Sequence, residues 1–223
     1  MYKKEIFRDL DKKYNNHLYE GLSGVLFRYC HRKLENFKFR NKKFDKLLEV
    51  GAGSMPHYHF INHSYNEYHI AETSDFAKNF HKDNKKVILK IYDGTTLPYQ
   101  NETFDRIIIS HCLEHILSPE KFINEMMRTL KKGGILSISL PTDPGFAWRL
   151  GRLFIKYFTL KNSYNIPGDE YEYMNATEHV NSIFNLKSII KFNFKNCIEE
   201  HFYPLKIKLI DLNLFYNVHI YKK

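Results

Sequence analysis

Three carboxylates each stand at or next to the end of an apolar run: Glu49 in Leu47-Leu48-Glu49-Val50, Glu72 after Tyr68-His69-Ile70-Ala71, and Asp93 after Val87-Ile88-Leu89-Lys90-Ile91. Glu49 leads straight into Gly51-Ala52-Gly53. Glycines in such a turn let the backbone bend sharply and come close to a ligand. Pro56 suits the first position of a helix whose free N–H groups would point back at that turn. An acid about twenty residues beyond a glycine turn commonly accepts hydrogen bonds from ribose hydroxyls, and Glu72 occupies that place. The plain alternative is three solvated loop acids around an ordinary turn. Their joint placement at strand ends favours an adenosine-type ligand.

The second chemistry-bearing set is His111-Cys112-Leu113-Glu114-His115, which fits the H-x-x-E-H spelling of some zinc peptidases. A zinc-dependent hydrolase using His111, Glu114 and His115 is therefore the alternative from another class, with Glu170, Glu172 or Glu178 as the further carboxylate. Against it, the motif lies directly behind an apolar strand, and Pro119 leaves little room for a helix. No metal is expected there, nor at His57, His59 and His63, which read as surface histidines.

The third set follows residue 141. Pro141-Thr142-Asp143-Pro144-Gly145 reads as a rigid turn, and 146–158 as a helix with Arg149, Arg152 and Lys156 on one face. Those arginines could hold a phosphate, the helix could lie on an anionic membrane, or it could be a cover helix with a solvated face. Residues 162–181, with Tyr164, Tyr173 and His179, read as a polar, aromatic loop closing over a small acceptor.

Residues 46–140 resemble the class I S-adenosylmethionine-dependent methyltransferases, in their small-molecule branch. The resemblance runs through Glu49-Val50-Gly51-Ala52-Gly53, Glu72, Asp93-Gly94, Leu97-Pro98, Phe104-Asp105-Arg106-Ile107, Leu113-Glu114-His115-Ile116 and Leu130-Lys131-Lys132-Gly133-Gly134. Met55 stands where many members carry a third glycine. The resemblance implies S-adenosyl-L-methionine as cofactor, leaving as S-adenosyl-L-homocysteine. It implies that Glu49, Gly51, Ala52, Gly53, Glu72, Thr73, Asp93, Gly94, Ser110 and His111 line the cofactor site. His111 and His179 are the expected bases, and Arg149, Arg152, Tyr164 and Tyr173 the expected contacts to the acceptor. That acceptor is expected to be a small polar molecule, phosphorylated or nucleotide-linked, such as a surface-glycan precursor. A lipid-linked or quinone-like acceptor is the second choice. A nicotinamide site is disfavoured, because Gly51-x-Gly53-x-x-Pro56 lacks the third glycine that lets the helix pack on the strand.

The elements that must position these residues follow from periodicity. Strands are expected near 46–50, 68–71, 86–91, 104–110 and 135–140, with helices at 75–81 and 119–130 between them. The helix at 119–130 ends at Gly133-Gly134. Helical spacing in residues 1–45, broken at Gly21 and Gly24, predicts two or three cap helices. A helix at 182–191 and β-rich stretches at 196–210 and 213–221, pairing as an edge hairpin, close the chain. The expected fold is α/β: a Rossmann-like, doubly wound, mostly parallel seven-stranded sheet with helices on both faces. One domain covers 1–223, with a cap at 1–45, a cofactor half at 46–140, a lid insertion at 141–181 and a terminal helix and hairpin at 182–223.

The 223 residues carry a formal net charge of +9, with the basic residues dispersed. Nucleic acid is not an expected partner, because no stacked aromatic and basic pattern is present. Cys30, Cys112 and Cys197 are too few and too far apart for a disulfide framework or a CxxC zinc site, which fits a reducing cytoplasm. No apolar run is long enough to span a membrane, and no signal peptide is expected. Peripheral membrane contact stays open, and so does the oligomeric state.

Overall fold

The computed structural model describes residues 21–35, 37–53, 57–73, 87–157 and 168–223. Its centre is a seven-stranded sheet in the order β3-β2-β1-β4-β5-β7-β6. The strands are β1 Lys43–Val50, β2 Ser64–Glu72, β3 Val87–Ile91, β4 Phe104–Ser110, β5 Leu130–Pro141, β6 Ile198–Tyr203 and β7 Phe215–Tyr221. β1 to β5 run parallel, and β7 enters antiparallel between β5 and β6. The expected hairpin of the tail is thus present, with β6 at the edge. The helices are α1 Gly21–Leu34, α2 Pro119–Thr129, α3 Phe146–Phe154, α4 Gly168–Glu178 and α5 Ile183–Phe194.

The central strands are apolar on both sides because both faces are covered. Ile107 and Ile109 of β4 belong to one core cluster with Phe122 and Met126 of α2 and Leu186 and Ile190 of α5. On the other face, Leu47, Tyr68 and Ile70 pack with Phe39 and Ile135. A fully buried aliphatic side chain of this size contributes about 1.5–3 kcal/mol, so these strands hold their register strongly. α2 begins with Pro119 in its first turn, where a missing N–H costs nothing.

Under α1 lies a buried polar network. Arg106 of β4 is fully buried. Its Nη1 donates to Glu35 at 2.6 Å and to His63 Nε2 at 2.8 Å, and its Nε donates to Ser137 at 3.1 Å. Its guanidinium sits 4.5 Å above the Phe39 ring. Glu35 also pairs with His57 Nε2 at 2.8 Å, and His57 Nδ1 meets His31 Nδ1 at 2.9 Å. Arg106 and His57 hold the Glu35 carboxyl far below the usual range against a large desolvation effect. Desolvation and Arg106 push His63 down to about 4 and His219 to about 3. His57 and His63 are therefore buried members of an ion-pair network, not the surface histidines expected from their polar segment.

Other local expectations are corrected. Gly24 lies inside α1 and breaks nothing. α2 stops at Thr129, and Gly133 and Gly134 belong to β5, where Gly133 takes φ 75° and donates its N–H to Lys222 O. The acceptor-closing segment expected as loop carries α4 over Gly168–Glu178. The expected helix at 75–81, the helices before residue 21 and the turn 54–56 lie outside the described residues.

Candidate active site

The glycine turn leaves β1 with Gly51 and Gly53 at φ 68° and 54°. A side chain at Gly51 would collide with Cys112, since a Cβ there would fall 2.5 Å from its Sγ. The loop beyond β4 thus lies against the turn beyond β1. Glu72, at the end of β2, reaches across: its Oε1 accepts from Gly53 N at 2.6 Å and its Oε2 from Thr73 N at 3.2 Å. Burial pushes its carboxyl up, against those two bonds. Glu72 pairs with Ile91 of β3, and Asp93 follows two residues on. The exposed Asp93 accepts from Thr95 N and Thr96 N at 2.9 and 3.1 Å, which lowers its pKa. Gly94, at φ 83°, packs its Cα side against Thr73.

Glu49 takes a different place from the other two acids. It is buried, receives His57 N at 2.8 and 3.0 Å and receives the Tyr68 hydroxyl at 2.8 Å. Burial pushes it up to about 8. It braces the turn from beneath, with Ala52 buried beside it. The three strand ends therefore form one rim with Gly51, Gly53, Glu72, Thr73, Asp93 and Gly94 along it. The Ser110 hydroxyl, at the end of β4, is buried with no hydrogen-bond partner.

A second group gathers beyond β4 and β5. His111 takes φ 50° and donates its N–H to Ser139 O. Its ring packs edge-on against Phe27 and Phe215, with Nε2 3.4 Å from Cys30 Sγ. Burial, then His179 and His115, push it down to about 3. Residues Leu113–His115 form a single 3-10 turn. The helix that H-x-x-E-H needs to align His111 with His115 is absent, and His111 turns away towards α1.

His115 meets His179 instead, with ring centroids 5.0 Å apart. His115 Nδ1 donates to Glu178 O at 2.9 Å, and His179 Nδ1 lies 2.7 Å from Asp143 Oδ2. Glu114 is buried, with Oε1 3.9 Å from His115 Nε2 and 3.9 Å from His111 Nδ1. Its Oε2 has no hydrogen-bond partner, and burial pushes its carboxyl up. Asn181 ties these pieces together, donating to Glu114 O and Ile116 O, while Ile183 N donates to Asp143 O.

Residues 48–138 match the model for the Methyltransferase domain. That match supports a class I S-adenosylmethionine-dependent methyltransferase domain in this stretch. An uncharacterized protein of Methanocaldococcus jannaschii is 27% identical over 176 residues, 77% of this chain and 74% of that protein. The demethylmenaquinone methyltransferase of Corynebacterium urealyticum is 32% identical over 108 residues, and the match covers 46% of each chain. A plantazolicin methyltransferase solved with S-adenosylhomocysteine shares the fold at TM-score 0.68 and 12% identity, over 96% of this chain and 91% of that one.

The family's cofactor is S-adenosyl-L-methionine, and the residues of the rim fit it. Gly53 has open space where a Cβ would stand, while the side chain of Cys112 closes the side of Gly51. Glu72 presents a carboxylate at the neighbouring strand end, the place from which an acid in an open α/β sheet would accept from ribose hydroxyls. The unpartnered Ser110 hydroxyl offers a further polar contact. When bound, the cofactor supplies a methyl group activated by a positively charged sulfur and leaves as S-adenosyl-L-homocysteine.

Of the residues expected at the acceptor, Arg152 approaches Asp143 at 3.5 Å and so joins the His179 group. Arg149 and Tyr173 are exposed on α3 and α4, and Tyr164 lies outside the described residues. Asp143 is the functional candidate that sequence reasoning missed. Within Pro141–Gly145 it read as a turn residue, although an acid just past a strand end was the available signal. Among the described residues, no helix is long and apolar enough to cross a membrane.

Proposed function

We propose that this chain transfers the methyl group of S-adenosylmethionine to an oxygen or nitrogen of a small acceptor bound over Glu114, His115, Asp143 and His179. The observation that carries this reading is the contact of Cys112 with Gly51. It sets the loop holding Glu114 and His115 directly beside the cofactor turn. Binding both reactants in line supplies much of the acceleration in such a reaction. A hydroxyl acceptor must also lose a proton. His179, oriented by Asp143, is the residue of the expected pair that acts on that proton. His111, packed between aromatic rings and held neutral, positions the loop.

Of the two acceptor classes, the lipid-linked or quinone-like one is favoured over a phosphorylated sugar precursor. Leu150, Leu153 and Phe154 of α3 are exposed, as are Leu205, Ile207 and Leu209 in the loop 204–214. Asp211 of that loop accepts from Phe146 N. An apolar surface with Arg149 and Lys206 at hand suits an amphipathic acceptor better than a nucleotide sugar. One of the curated relatives above is a demethylmenaquinone methyltransferase.

Radiolabelled S-adenosylmethionine tests this. The full chain is offered short-chain quinols and nucleotide sugars with and without anionic vesicles. Methylation of quinols, enhanced by vesicles and reduced in Leu150→Glu, supports the reading. Methylation of sugars alone overturns the acceptor class, and no binding of S-adenosylhomocysteine overturns the activity.

A further inference from the structure

We infer that Glu114, His115 and His179 form a binding site for one first-row divalent metal ion, of which Zn2+ suits the donors best. Each of the three offers a ligand atom, and these atoms all lie within 4.8 Å of one another. No metal was expected from the sequence, because the H-x-x-E-H pattern lies directly behind an apolar strand and Pro119 leaves little room for a helix. The ligand that completes the set comes instead from beyond α4, more than sixty residues on.

The donor types and their surroundings carry the argument. Metal-bound histidines characteristically donate their second ring nitrogen to a carboxylate or a backbone carbonyl, which fixes the tautomer and aims the free nitrogen at the ion. Both partners are present. Asp143 Oδ2 holds His179 Nδ1 at 2.7 Å, and Glu178 O holds His115 Nδ1 at 2.9 Å. Each ring therefore directs Nε2 away from its support. The third donor, Glu114, is 3% exposed and its Oε2 has no hydrogen-bond partner. A buried carboxylate oxygen left so is costly unless a cation or donor meets it.

Two imidazoles and one carboxylate suit Zn2+, with Fe2+ and Mn2+ as weaker fits, and do not suit Ca2+ or Mg2+, which prefer oxygen alone. Ligand atoms around a tetrahedral Zn2+ stand about 3.4 Å apart. Glu114 Oε1 and His115 Nε2, at 3.9 Å, need only a small side-chain rotation to close on it. Three protein ligands leave a fourth position open. That vacancy would take the acceptor oxygen, so the role of the ion rests on the methyltransferase reading. His179 would then act through the ion and not as the base: an acceptor hydroxyl bound there would lose its proton to solvent, and the anion would form its bond to the methyl carbon as the sulfur–methyl bond breaks and S-adenosylhomocysteine leaves.

The test is calorimetry on the metal-stripped full chain with ZnCl2, MnCl2 and MgCl2 in turn, alongside S-adenosylhomocysteine in a separate titration. Zn2+ is expected to bind one per chain, Mn2+ more weakly and Mg2+ not measurably. Co2+ should give the visible absorption of a four-coordinate site. His179→Ala and Glu114→Gln should each lower Zn2+ affinity at least about tenfold, and Asp143→Asn, which removes only the support of His179, about tenfold or more. His59→Ala, an exposed histidine elsewhere, should change nothing. Absence of saturable Zn2+ binding, or binding that survives in His179→Ala and Glu114→Gln, overturns the inference. If those two variants lose S-adenosylhomocysteine binding as well, Asp143→Asn decides. Loss of S-adenosylhomocysteine binding by the unaltered chain overturns the methyltransferase reading instead, whatever the metal does.

Discussion

Gly53 donates its backbone N–H to Glu72 Oε1 at 2.6 Å, joining the turn after β1 to the end of β2. The bond orients the carboxylate and the turn together, so that the side chain proposed to meet the ribose also shapes the turn. A hydrogen bond to a charged group is worth about 1.5–3 kcal/mol. Glu72→Gln should therefore weaken S-adenosylhomocysteine about tenfold to a hundredfold in calorimetry, with the circular dichroism spectrum unchanged. Asp93→Asn should cost less, because that side chain is exposed and its Oδ1 is occupied by Thr95 and Thr96.

Gly51 and Gly53 differ in what surrounds them. Gly53→Ala meets nothing within 4 Å and bears only the left-handed backbone conformation, about 1–3 kcal/mol. Gly51→Ala bears the same strain and also strikes Cys112. Urea unfolding should show Gly51→Ala as the less stable variant. Adding Cys112→Ala, which removes the sulfur but leaves its Cβ, should restore part of the loss, and the double-mutant cycle reads the clash directly.

Arg106 and Glu35 form a fully buried pair whose partners lie 71 residues apart. Removing one member leaves an uncompensated charge and costs about 3–5 kcal/mol. Glu35→Ala should therefore lower the urea midpoint sharply. Replacing both together, as Glu35→Leu with Arg106→Met, should recover most of it.

Acid should test the buried imidazoles. Burial, then Arg106 and His201, hold His219 down to about 3 against about 6.5 in the unfolded chain, with Glu199 and Glu35 acting the other way. Between those values the unfolded chain binds a proton that the folded one refuses. Its contribution to stability is therefore whole above pH 6.5 and declines as pH falls. Glu49 and Glu114, raised by burial, run the opposite way, so the comparison must be with a variant. His219→Phe should gain on the unaltered chain by about 1.4 kcal/mol per pH unit from 6.5 downward. Urea midpoints at pH 7, 6 and 5 measure it, and parallel curves for the two proteins would contradict the assignment.

The sheet was legible because apolar runs such as Leu47-Leu48-Glu49-Val50 and Tyr68-His69-Ile70-Ala71 end in glycine or acid, and that pattern has few other solutions. The rim was legible for the same reason, since Glu72 and Asp93 sit at strand ends whatever covers the faces. α4 was not, because Gly168–Glu178 has no apolar stripe; among its described side chains only Tyr171 and Asn175 are buried. Gly133-Gly134 misled because a glycine pair after lysines also suits a strand that bends at its start. The Arg106 network and the His115–His179 pair depend on contacts across 22 to 71 positions, which periodicity does not register.

Asn181 grips the main chain at Glu114 and Ile116 while its neighbour His179 holds Asp143. The wall formed by α4 is thus latched at its root to both loops beneath it. Any movement of α4 away from those loops must undo these bonds together, so it should be all-or-none.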